Sequence, residues 1–510
     1  MSPRSTIRAL GVAVVVAATA LTGVASASPT HDPIVATNNG LVRGVATGST
    51  DQFLGIPYAA PPTGALRWQP PRPAARWHGV RDADQFGPTC AQGPDAFGGP
   101  ASTAEDCLYL NVYTPARRAH GRPVMVWIHG GSLVTGAGSG YDPTGLVRDG
   151  VVVVTINYRL GALGFLAHPA LGAESGDYGL MDQQAALRWV DRNIGRFGGN
   201  PDNVTIFGES AGGQSVLSQL VSPPARGLFD RAIVQSGAYA MTLPTQAEAN
   251  TEGQAFAAAV GCADQSSACL RALPVTTLLA NQNGLYVPNI DGRTLNQSLD
   301  TAFDAGEFAR VPVVNGSTHD EWRLFVALDE LRGKVVTPEN YVDSIAGTLG
   351  VPAAAASAIA AEYPLSAYPS PAVALGAVGT DAIFACPGLD LSTTLSRYVP
   401  TYAYEFNDET APELLPPVSF PQGAAHAFEL PYLFTLPGGV TLTPAQQRLA
   451  DDMRGYWTGF AASGAPLATG TPFWPRFTPE RVQSLDLPRP HVESDFAAEH
   501  HCGFWSAVRP

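Results

Sequence analysis

Lysine is almost absent from this sequence of 510 residues, since Lys334 is the only one among 30 basic side chains. Asp and Glu number 44, and the formal net charge is −14 at pH 7. Nucleic-acid binding depends on basic side chains that follow the phosphate backbone, and the sequence has no such stripe. We therefore expect no nucleic-acid partner. The acidic balance also mildly disfavours anionic substrates and anionic membrane surfaces.

Long apolar runs are missing after the N-terminus. Residues 1–27 contain two arginines, an apolar run from Ala9 to Leu21 and a small-residue cleavage site at Ala27. This order is typical of a secretory signal peptide. The alternative, an uncleaved membrane anchor, is disfavoured because the run is shorter than the ~20 residues that a spanning helix needs. We expect residues 28–510 to be secreted without a membrane anchor.

The cysteine spacing of zinc sites is missing too, because none of the six cysteines lies in a C-x-x-C pair. In an exported chain six cysteines indicate disulfides, since that compartment is oxidising. Six cysteines allow many pairings, and the sequence alone leaves them open. Two pairs would close short loops and the third would tie the C-terminal tail to the body of the protein: Cys90 with Cys107, Cys262 with Cys269, and Cys386 with Cys502.

Strand-like and helix-like segments alternate through much of the chain. The run from Val151 to Ile156 is apolar on both faces, which is typical of a buried parallel strand. The alternation predicts an α/β fold with a mostly parallel sheet. We expect a helix from Asp182 to Ile194, and helices that cover the sheet within 242–309 and 335–371. No linker separates two domains, so residues 28–510 are predicted to form one domain.

The segment TIFGESAGGQS, residues 205–215, places Ser210 in the pattern G-x-S-x-G. A strand ending at Phe207, a sharp turn and a helix beginning near Gly212 would project the serine hydroxyl outward, as in a nucleophile elbow. The N-terminus of that helix would aim free N–H groups at the same spot. Gly and Ser are also common in ordinary turns, so the motif alone does not decide between the two readings.

A serine nucleophile needs a base to accept its proton and a third group to orient that base. On an α/β-hydrolase sheet the acid follows the serine and the histidine comes last. Asp320 and Glu321 follow a strand-like run in VPVVNGSTHDEW, and His426 lies among small residues in GAAHAFELPYLF. These two segments supply candidates for the acid and the base.

Together the motifs resemble those of the type B carboxylesterases, the carboxylesterase/lipase family that includes the cholinesterases. They follow the family's order over nearly all of the mature chain: FLGIPYAAPP, LRW, EDCLYLNVYTP, VMVWIHGGS, NYRLGALGF, the run from GDYGLMDQ to GESAGG, QSG, NGSTHDEW, HAFELPY and HCGFW. The resemblance implies an α/β-hydrolase fold, with a large, mostly parallel central sheet flanked by helices and carrying helical insertions. The preference for Arg over Lys, with abundant Ala, Gly and Pro, is typical of a bacterial secreted member.

The resemblance implies Ser210 as the nucleophile, His426 as general base and then acid, and Glu321 as the carboxylate that orients the histidine. Trp322 stands where the family has glycine, so Asp320 stays open as the alternative carboxylate.

The segment HGGS implies an oxyanion hole made of the backbone N–H groups of Gly131, Ser132 and Ala211, with Gly130 as the hinge. Leu133 takes the place of a bulky aromatic residue of the family, which implies a roomier pocket for larger acyl or aryl groups.

Other matches imply supporting roles. Glu209 and Ser236 resemble members of the hydrogen-bond network near the catalytic histidine. The family pattern also supports the three cysteine pairings, and it implies two buried ion pairs, Arg67 with Glu105 and Arg159 with Asp182.

These residues predict acyl transfer through an acyl-enzyme, without a metal or another cofactor. The loop from Ala91 to Asp106 has Phe97 as its only aromatic residue, which disfavours choline esters because cation–π binding needs aromatic rings. We expect a small uncharged apolar or aryl ester as substrate. A lipase or sterol esterase is the first alternative, and it would need an apolar lid that no segment suggests. A non-catalytic adhesion or binding protein is the second, disfavoured because all three triad positions are filled. The sequence does not predict the oligomeric state.

Overall fold

A computed structural model of the chain describes residues 32–94, 99–116, 120–282 and 286–508. The expected signal peptide, residues 1–27, and Phe97 of the first cysteine loop lie outside the described residues.

Short and long strands alternate with helices along the described chain. The strands are β1 (Ile34–Ala36), β2 (Leu41–Arg43), β3 (Val45–Ala46), β4 (Thr50–Pro57), β5 (Val80–Asp82), β6 (Tyr109–Pro115), β7 (Arg122–Ile128), β8 (Val152–Ile156), β9 (Gly199–Glu209), β10 (Arg231–Gln235), β11 (Val313–Thr318), β12 (Thr401–Phe406), β13 (Val482–Leu485) and β14 (His491–Glu493). In the described residues they form a three-stranded sheet, β1-β2-β5, and an eleven-stranded sheet, β14-β13-β12-β11-β10-β9-β7-β8-β6-β4-β3.

The large sheet is parallel from β8 through β7, β9, β10, β11 and β12 to β13, and antiparallel at both ends. All residues of β8 are buried. Val152 and Val154 pack into the apolar core on one face, whereas Val151 and Val153 pack into the core on the other, because side chains alternate along a strand. A sheet covered on both faces confirms the predicted α/β-hydrolase fold.

The helices that cover the sheet are α1 (Thr144–Arg148), α2 (Gly161–Phe165), α3 (Tyr178–Asn193), α4 (Ala211–Val221), α5 (Gln246–Ala259), α6 (Ser267–Ala272), α7 (Val275–Ala280), α8 (Leu299–Ala305), α9 (Arg323–Leu331), α10 (Tyr341–Leu349), α11 (Ala353–Glu362), α12 (Pro371–Gly379), α13 (Cys386–Ser396), α14 (Leu430–Leu433), α15 (Pro444–Ser463), α16 (Phe496–Glu499) and α17 (Cys502–Val508). A π-helix, Thr380–Ala385, joins α12 to α13. The combined run Pro371–Ser396 is long and apolar enough to cross a membrane, but 67% of its apolar window is buried, as in a core helix.

Two predicted boundaries were wrong. Helix α3 begins at Tyr178 and not at Asp182. Asp182 does not cap the helix, because it lies inside it as the buried ion-pair partner of Arg159, with 2.7 Å between Oδ2 and Nε. Strand β9 continues past Phe207 to Glu209, since its pairing with β10 extends to that residue. The second implied ion pair is also present, with Arg67 bound through two nitrogens to Glu105 at 2.6 Å each.

Three disulfides fasten the fold. They are the pairs that the family resemblance supports: Cys90–Cys107, Cys262–Cys269 and Cys386–Cys502. The last closes the longest loop and joins the start of α13 to the start of α17, so the C-terminal tail is held against the body of the protein.

Candidate active site

Ser210 lies in the sharp turn between β9 and α4. Its φ of 55° and ψ of −122° are values that residues other than glycine rarely adopt. Its N–H donates to the carbonyl of Gln235 at 2.9 Å, which ties the turn to the end of β10. The side chain is half-buried, so the hydroxyl keeps access to solvent at the carboxyl edge of the parallel strands.

Glycine is required on both sides of this serine. A Cβ at Gly212 would lie 1.9 Å from the carbonyl oxygen of Ile128, and one at Gly208 would lie 2.5 Å from the carbonyl carbon of Gly212. Both distances are far inside van der Waals contact. The two glycines therefore let α4 start directly against β7 and β9, which produces the predicted strand–turn–helix geometry.

The glycine-rich segment after β7 turns sharply beside Ser210. Gly131, Ser132 and Leu133 have φ values of 103°, 55° and 59°, all in the left-handed region. A Cβ at Gly130 would lie 3.1 Å from the Cβ of Ser210, so the segment passes directly beside the serine. This places the predicted donor loop next to Ser210.

Three backbone N–H groups at this point lack a hydrogen-bond acceptor among the residues that the structure describes. Across the described chain, no hydrogen bond is formed by the N–H of Gly131, Ser132 or Ala211. Ala211 is the first residue of α4, where helical N–H groups lack intrahelical acceptors. Free N–H groups near a nucleophile can bind a developing oxyanion.

Leu133, predicted to line the pocket, is 1% exposed and packs into the apolar core. Its carbonyl accepts a hydrogen bond from Gly161 N–H at 2.6 Å. Its effect on pocket size therefore stays a prediction.

His426 and Glu321 lie together, as predicted. The imidazole Nδ1 donates to Oε2 of Glu321, and the backbone N–H of His426 donates to the backbone carbonyl of Glu321 at 3.4 Å. Oε1 of Glu321 accepts from Thr318 N–H at 2.8 Å. Since Nδ1 carries the donated proton, the neutral ring leaves Nε2 free to accept one.

The other ring nitrogen points toward Glu209. His426 Nε2 lies 3.1 Å from Oε1 of Glu209 without hydrogen-bond geometry, and among the described residues it has no hydrogen bond to Ser210. Catalytic hydrogen bonds often form only when substrate is bound. A Cβ at Gly130 would lie 2.9 Å from Oε2 of Glu209 and 3.1 Å from Cβ of Ser210, so the carboxylate that contacts the imidazole lies close to the serine.

Three buried carboxylates surround this imidazole. Burial lowers the pKa of His426, but Glu209, Glu321 and Glu429 outweigh that effect and raise the pKa to about 9. Burial raises the pKa of Glu209 to about 8, even though His426 opposes the increase. Burial likewise raises the pKa of Glu429 to about 7. Glu209, Glu429 and His426 affect one another's pKa, so their protonation is linked.

Asp320, the alternative acid, is engaged elsewhere. Its Oδ2 accepts from Ala424 N–H at 3.0 Å, and its Oδ1 lies 2.8 Å from Arg323 and 3.1 Å from His319. Burial raises the pKa of Asp320, but His319, Arg323 and the Ala424 N–H together lower it below its ordinary value. The geometry therefore favours Glu321 as the partner of His426.

Trp322, which replaces the family's glycine, does not displace the acid. Its backbone N–H donates to Thr380 Oγ1 at 3.0 Å. Its ring packs on Gly379, where an added Cβ would lie 2.1 Å from Trp322 Cγ. A glycine in α12 thus makes the room that the tryptophan needs.

Four aromatic side chains that sequence reasoning missed stand beside His426. The ring centroids of Phe325 and Phe384 lie 5.3 Å and 5.1 Å from that of His426. Trp322 lies 4.4 Å from Phe325, and Tyr239 lies 5.6 Å from Phe384. We call Tyr239, Trp322, Phe325 and Phe384 the aromatic wall. Three of its members are half-buried and Phe384 is buried, so the wall presents apolar surface at the site. Phe384 belongs to the π-helix, and no sequence motif marks it.

A polar chain behind the imidazole was also missed. Gln235 donates to Oε1 of Glu429 at 2.9 Å and accepts from the indole N–H of Trp457 at 3.1 Å. The motifs QSG and HAFELPY contain the first two of these residues, which were the available signal. Ser236 is buried and its hydroxyl has no hydrogen bond within the described chain, so its place in the network stays a prediction.

His129 shapes the glycine turn. It donates from Nδ1 to the carbonyl of Gly130 at 2.9 Å and stacks on Tyr158 at 4.4 Å. Burial lowers the pKa of His129 to about 4, so it is neutral. In the part of the chain that the structure describes, no three His, Cys, Asp or Glu side chains are arranged to hold a metal ion.

Comparison with known proteins agrees with this geometry. A profile of the Carboxylesterase family matches residues 31–505. The chain is 36% identical over 488 residues to the fumonisin B1 esterase of Sphingopyxis macrogoltabida, covering 89% of this chain and 87% of that protein. It is 35% identical to the para-nitrobenzyl esterase of Bacillus subtilis (90% and 95% covered) and 35% identical to the cocaine esterase of Homo sapiens (94% and 92% covered). The chain therefore belongs to the carboxylesterase family, with the type B carboxylesterases, and is a carboxylic ester hydrolase.

Proposed function

We propose that this hydrolase works through an acyl-enzyme formed on Ser210. The observation that carries the proposal is the strained turn of Ser210, which lies close to the His426–Glu321 pair and to three N–H groups without an acceptor in the described residues. His426 accepts the serine proton as the hydroxyl attacks the ester carbonyl. The oxyanion binds the N–H groups of Gly131, Ser132 and Ala211, and His426 then protonates the leaving alcohol. Water repeats these steps on the acyl-enzyme.

The electrostatics support Glu321 as the orienting acid. It is fully buried and holds Nδ1 of His426, so the imidazolium that forms during the reaction stays paired. Glu209, on the other side of the ring, adds a second compensating carboxylate.

Turnover of p-nitrophenyl butyrate tests the mechanism. Ser210→Ala is expected to lower kcat by about 10⁴-fold or more, because the nucleophile is removed. Ser218→Ala is the matched control, since Ser218 lies on the same helix and its hydroxyl donates only to the Gln214 carbonyl at 2.9 Å. Equal rates for the wild type and Ser210→Ala would reject the proposed nucleophile, and with it the acyl-enzyme.

The aromatic wall supports uncharged apolar or aryl esters as substrates. Aromatic pairs contribute about 0.5–1.5 kcal/mol beyond the area they bury, and the wall holds no charged side chain. We compare kcat/KM for phenyl butyrate with that for ethyl butyrate, in the wild type and in Phe384→Leu. The ratio is expected to fall about three- to tenfold in the variant, since the leaving-group difference cancels between the two proteins.

Phe473→Ala is the control for this comparison, because Phe473 is 72% exposed. An unchanged ratio in Phe384→Leu would reject the wall as the substrate surface. It would leave the nucleophile untouched.

We further propose that residues 1–27 direct export and are removed, which leaves one catalytic domain in residues 28–510. The three disulfides are compatible with an extracellular protein, since they persist in oxidising compartments. N-terminal sequencing of the protein secreted by its host would test the cleavage near Ala27. Recovery of the intact N-terminus from the medium would contradict it.

A further inference from the structure

A second cluster of buried charges lies behind the proposed acid. His500 is 3% exposed, and its Nδ1 and Nε2 lie 2.6 Å from Oδ1 of Asp381 and 2.5 Å from Oε1 of Glu405. Since both nitrogens face carboxylates, both donate and the ring carries a positive charge. Burial lowers the pKa of His500, but Glu405 and Asp381 outweigh it and raise the pKa to about 10.

His319 connects this cluster to the loop of the proposed acid. Its Nδ1 lies 3.1 Å from Oδ1 of Asp320, and its Nε2 lies 3.2 Å from Oε1 of Glu499 at the end of α16. Its ring meets the ring of His500 edge to face, with 5.5 Å between centroids. We define the C-terminal tail as residues 496–502. His319 therefore connects Asp320, the residue before Glu321, to Glu499 of this tail.

Asp320 in turn joins the two loops that carry the acid and the base. Its N–H donates to the carbonyl of Ala424 at 3.0 Å, and its Oδ2 accepts from the Ala424 N–H at 3.0 Å. Ala424 lies two positions before His426, and Asp320 lies one position before Glu321. The placement of the Asp320 carboxylate therefore sets how the two loops face each other.

The tail that holds His319 is itself anchored. Cys502, two positions after His500, is bonded to Cys386 at the start of α13. Oδ2 of Asp381 also accepts from the hydroxyl of Tyr363 at 2.7 Å. The far end of the connection is thus fixed to the helices behind the sheet.

We propose that His319 is a positioning residue for ester hydrolysis and that the C-terminal tail holds it in place. The proposal rests on the proposed roles of Glu321 and His426. Arg323 and His319 both hold Oδ1 of Asp320, at 2.8 Å and 3.1 Å. With Arg323, His319 keeps Oδ2 on the Ala424 N–H and keeps Glu321 aligned with the imidazole of His426. His319 contacts neither of those two side chains, so its effect passes through Asp320.

His319→Ala tests this role against a purely stabilising one. Active sites are first counted with a fluorophosphonate that labels the reactive serine, so that unfolded protein does not contribute to the rate. The kcat per labelled site on p-nitrophenyl butyrate is expected to fall about 10- to 100-fold, the scale of an ångström-sized misplacement. The acidic limb of the pH profile is expected to move to lower pH, because His426 loses part of its interaction with Glu321.

His501→Gln is the matched control. His501 belongs to the same tail and also pairs with a carboxylate, Oε1 of Glu362 at 2.8 Å, but that partner lies on α11 and not at Asp320. The His501→Gln variant is expected to keep the wild-type kcat per site and the wild-type pH profile. Glu499→Gln, at the half-exposed end of the connection, is expected to change both in the direction of His319→Ala, by a smaller amount.

A wild-type kcat per site and an unshifted acidic limb in His319→Ala would overturn the proposal, whatever its melting temperature. An equal loss in His501→Gln would overturn it as well. If His319→Ala does not fold, Glu499→Gln decides, and wild-type values there reject the role. Failure of the fluorophosphonate to label the wild type would instead reject the proposed nucleophile.

Discussion

The pH dependence of the enzyme should respond most directly to the charge of Glu209. Its Oε1 lies 3.1 Å from Nε2 of His426, and its charge is the largest single cause that raises the pKa of that histidine. Glu209→Gln keeps the size of the side chain and removes the charge. The imidazolium is then less stabilised, so the pKa of His426 falls.

The size of the change follows from the site. The pKa of His426, about 9, lies roughly 2.5 pH units above its ordinary 6.5, which corresponds to about 3.4 kcal/mol of net interaction. Three carboxylates together supply more than this net amount, because burial opposes them, and the charge of Glu209 is the largest single contribution. We therefore expect the midpoint of the acidic limb to move down by about one to two pH units. The base becomes neutral at a lower pH, so activity extends further into acid.

The assay is kcat/KM for p-nitrophenyl butyrate as a function of pH, which reports the titration of the free enzyme. Glu480→Gln, at an exposed position, is the control for the removal of one carboxylate. A midpoint that stays in place, or moves to higher pH, would refute the reasoning. A lower maximal rate in Glu209→Gln would not, because the position of the limb is independent of its height.

Three further predictions concern stability. Gly212→Ala should prevent recovery of folded enzyme, since its Cβ would meet a backbone oxygen at 1.9 Å. Gly347→Ala in α10 has free space around the added Cβ, so it should raise the free energy of unfolding by about 0.5–1 kcal/mol. Thermal melts of both variants check this. Replacing the Cys386–Cys502 pair by alanine should lower the free energy of unfolding by about 4.8 kcal/mol, and replacing the Cys262–Cys269 pair should lower it by about 2.4 kcal/mol, because the closed loops span 116 and 7 residues. Equal losses in melting temperature would contradict that order. Because the pKa of His500 is raised to about 10, its charge stabilises the fold fully below pH 6.5, and this contribution disappears as the pH rises through 10. Melting temperatures should therefore fall over that interval more steeply in the wild type than in His500→Gln.

Local sequence predicted the elements of the site because each has a strong local cause. The β-branched and aromatic run before Ser210 favoured a strand, and the glycines on both sides of Ser210 permitted a turn that larger residues would block. The end of β9 and the start of α3 were misjudged, since both depend on partners in other segments, namely β10 and Arg159.

The identity of the acid shows what local reasoning leaves open. Asp320 and Glu321 are adjacent carboxylates, and nothing in their immediate sequence distinguishes them. The resemblance favoured Glu321, but the geometry gives a physical reason, because Arg323, His319 and the Ala424 N–H occupy Asp320. Only groups distant in sequence could supply that reason.

The sequence by itself determined the fold class, the family and the residue types of the site, since these follow from periodicity, glycine spacing and motifs that persist along the chain. Tertiary structure decided which side chains surround His426. Phe384 reaches the imidazole from a π-helix that no motif connects to His426, and Tyr239, four residues after the end of β10, packs on Phe384. Contacts of that kind depend on how helices and loops pack over the sheet. For that reason ester hydrolysis could be predicted from the sequence, while the surface that we propose selects the ester required the structure.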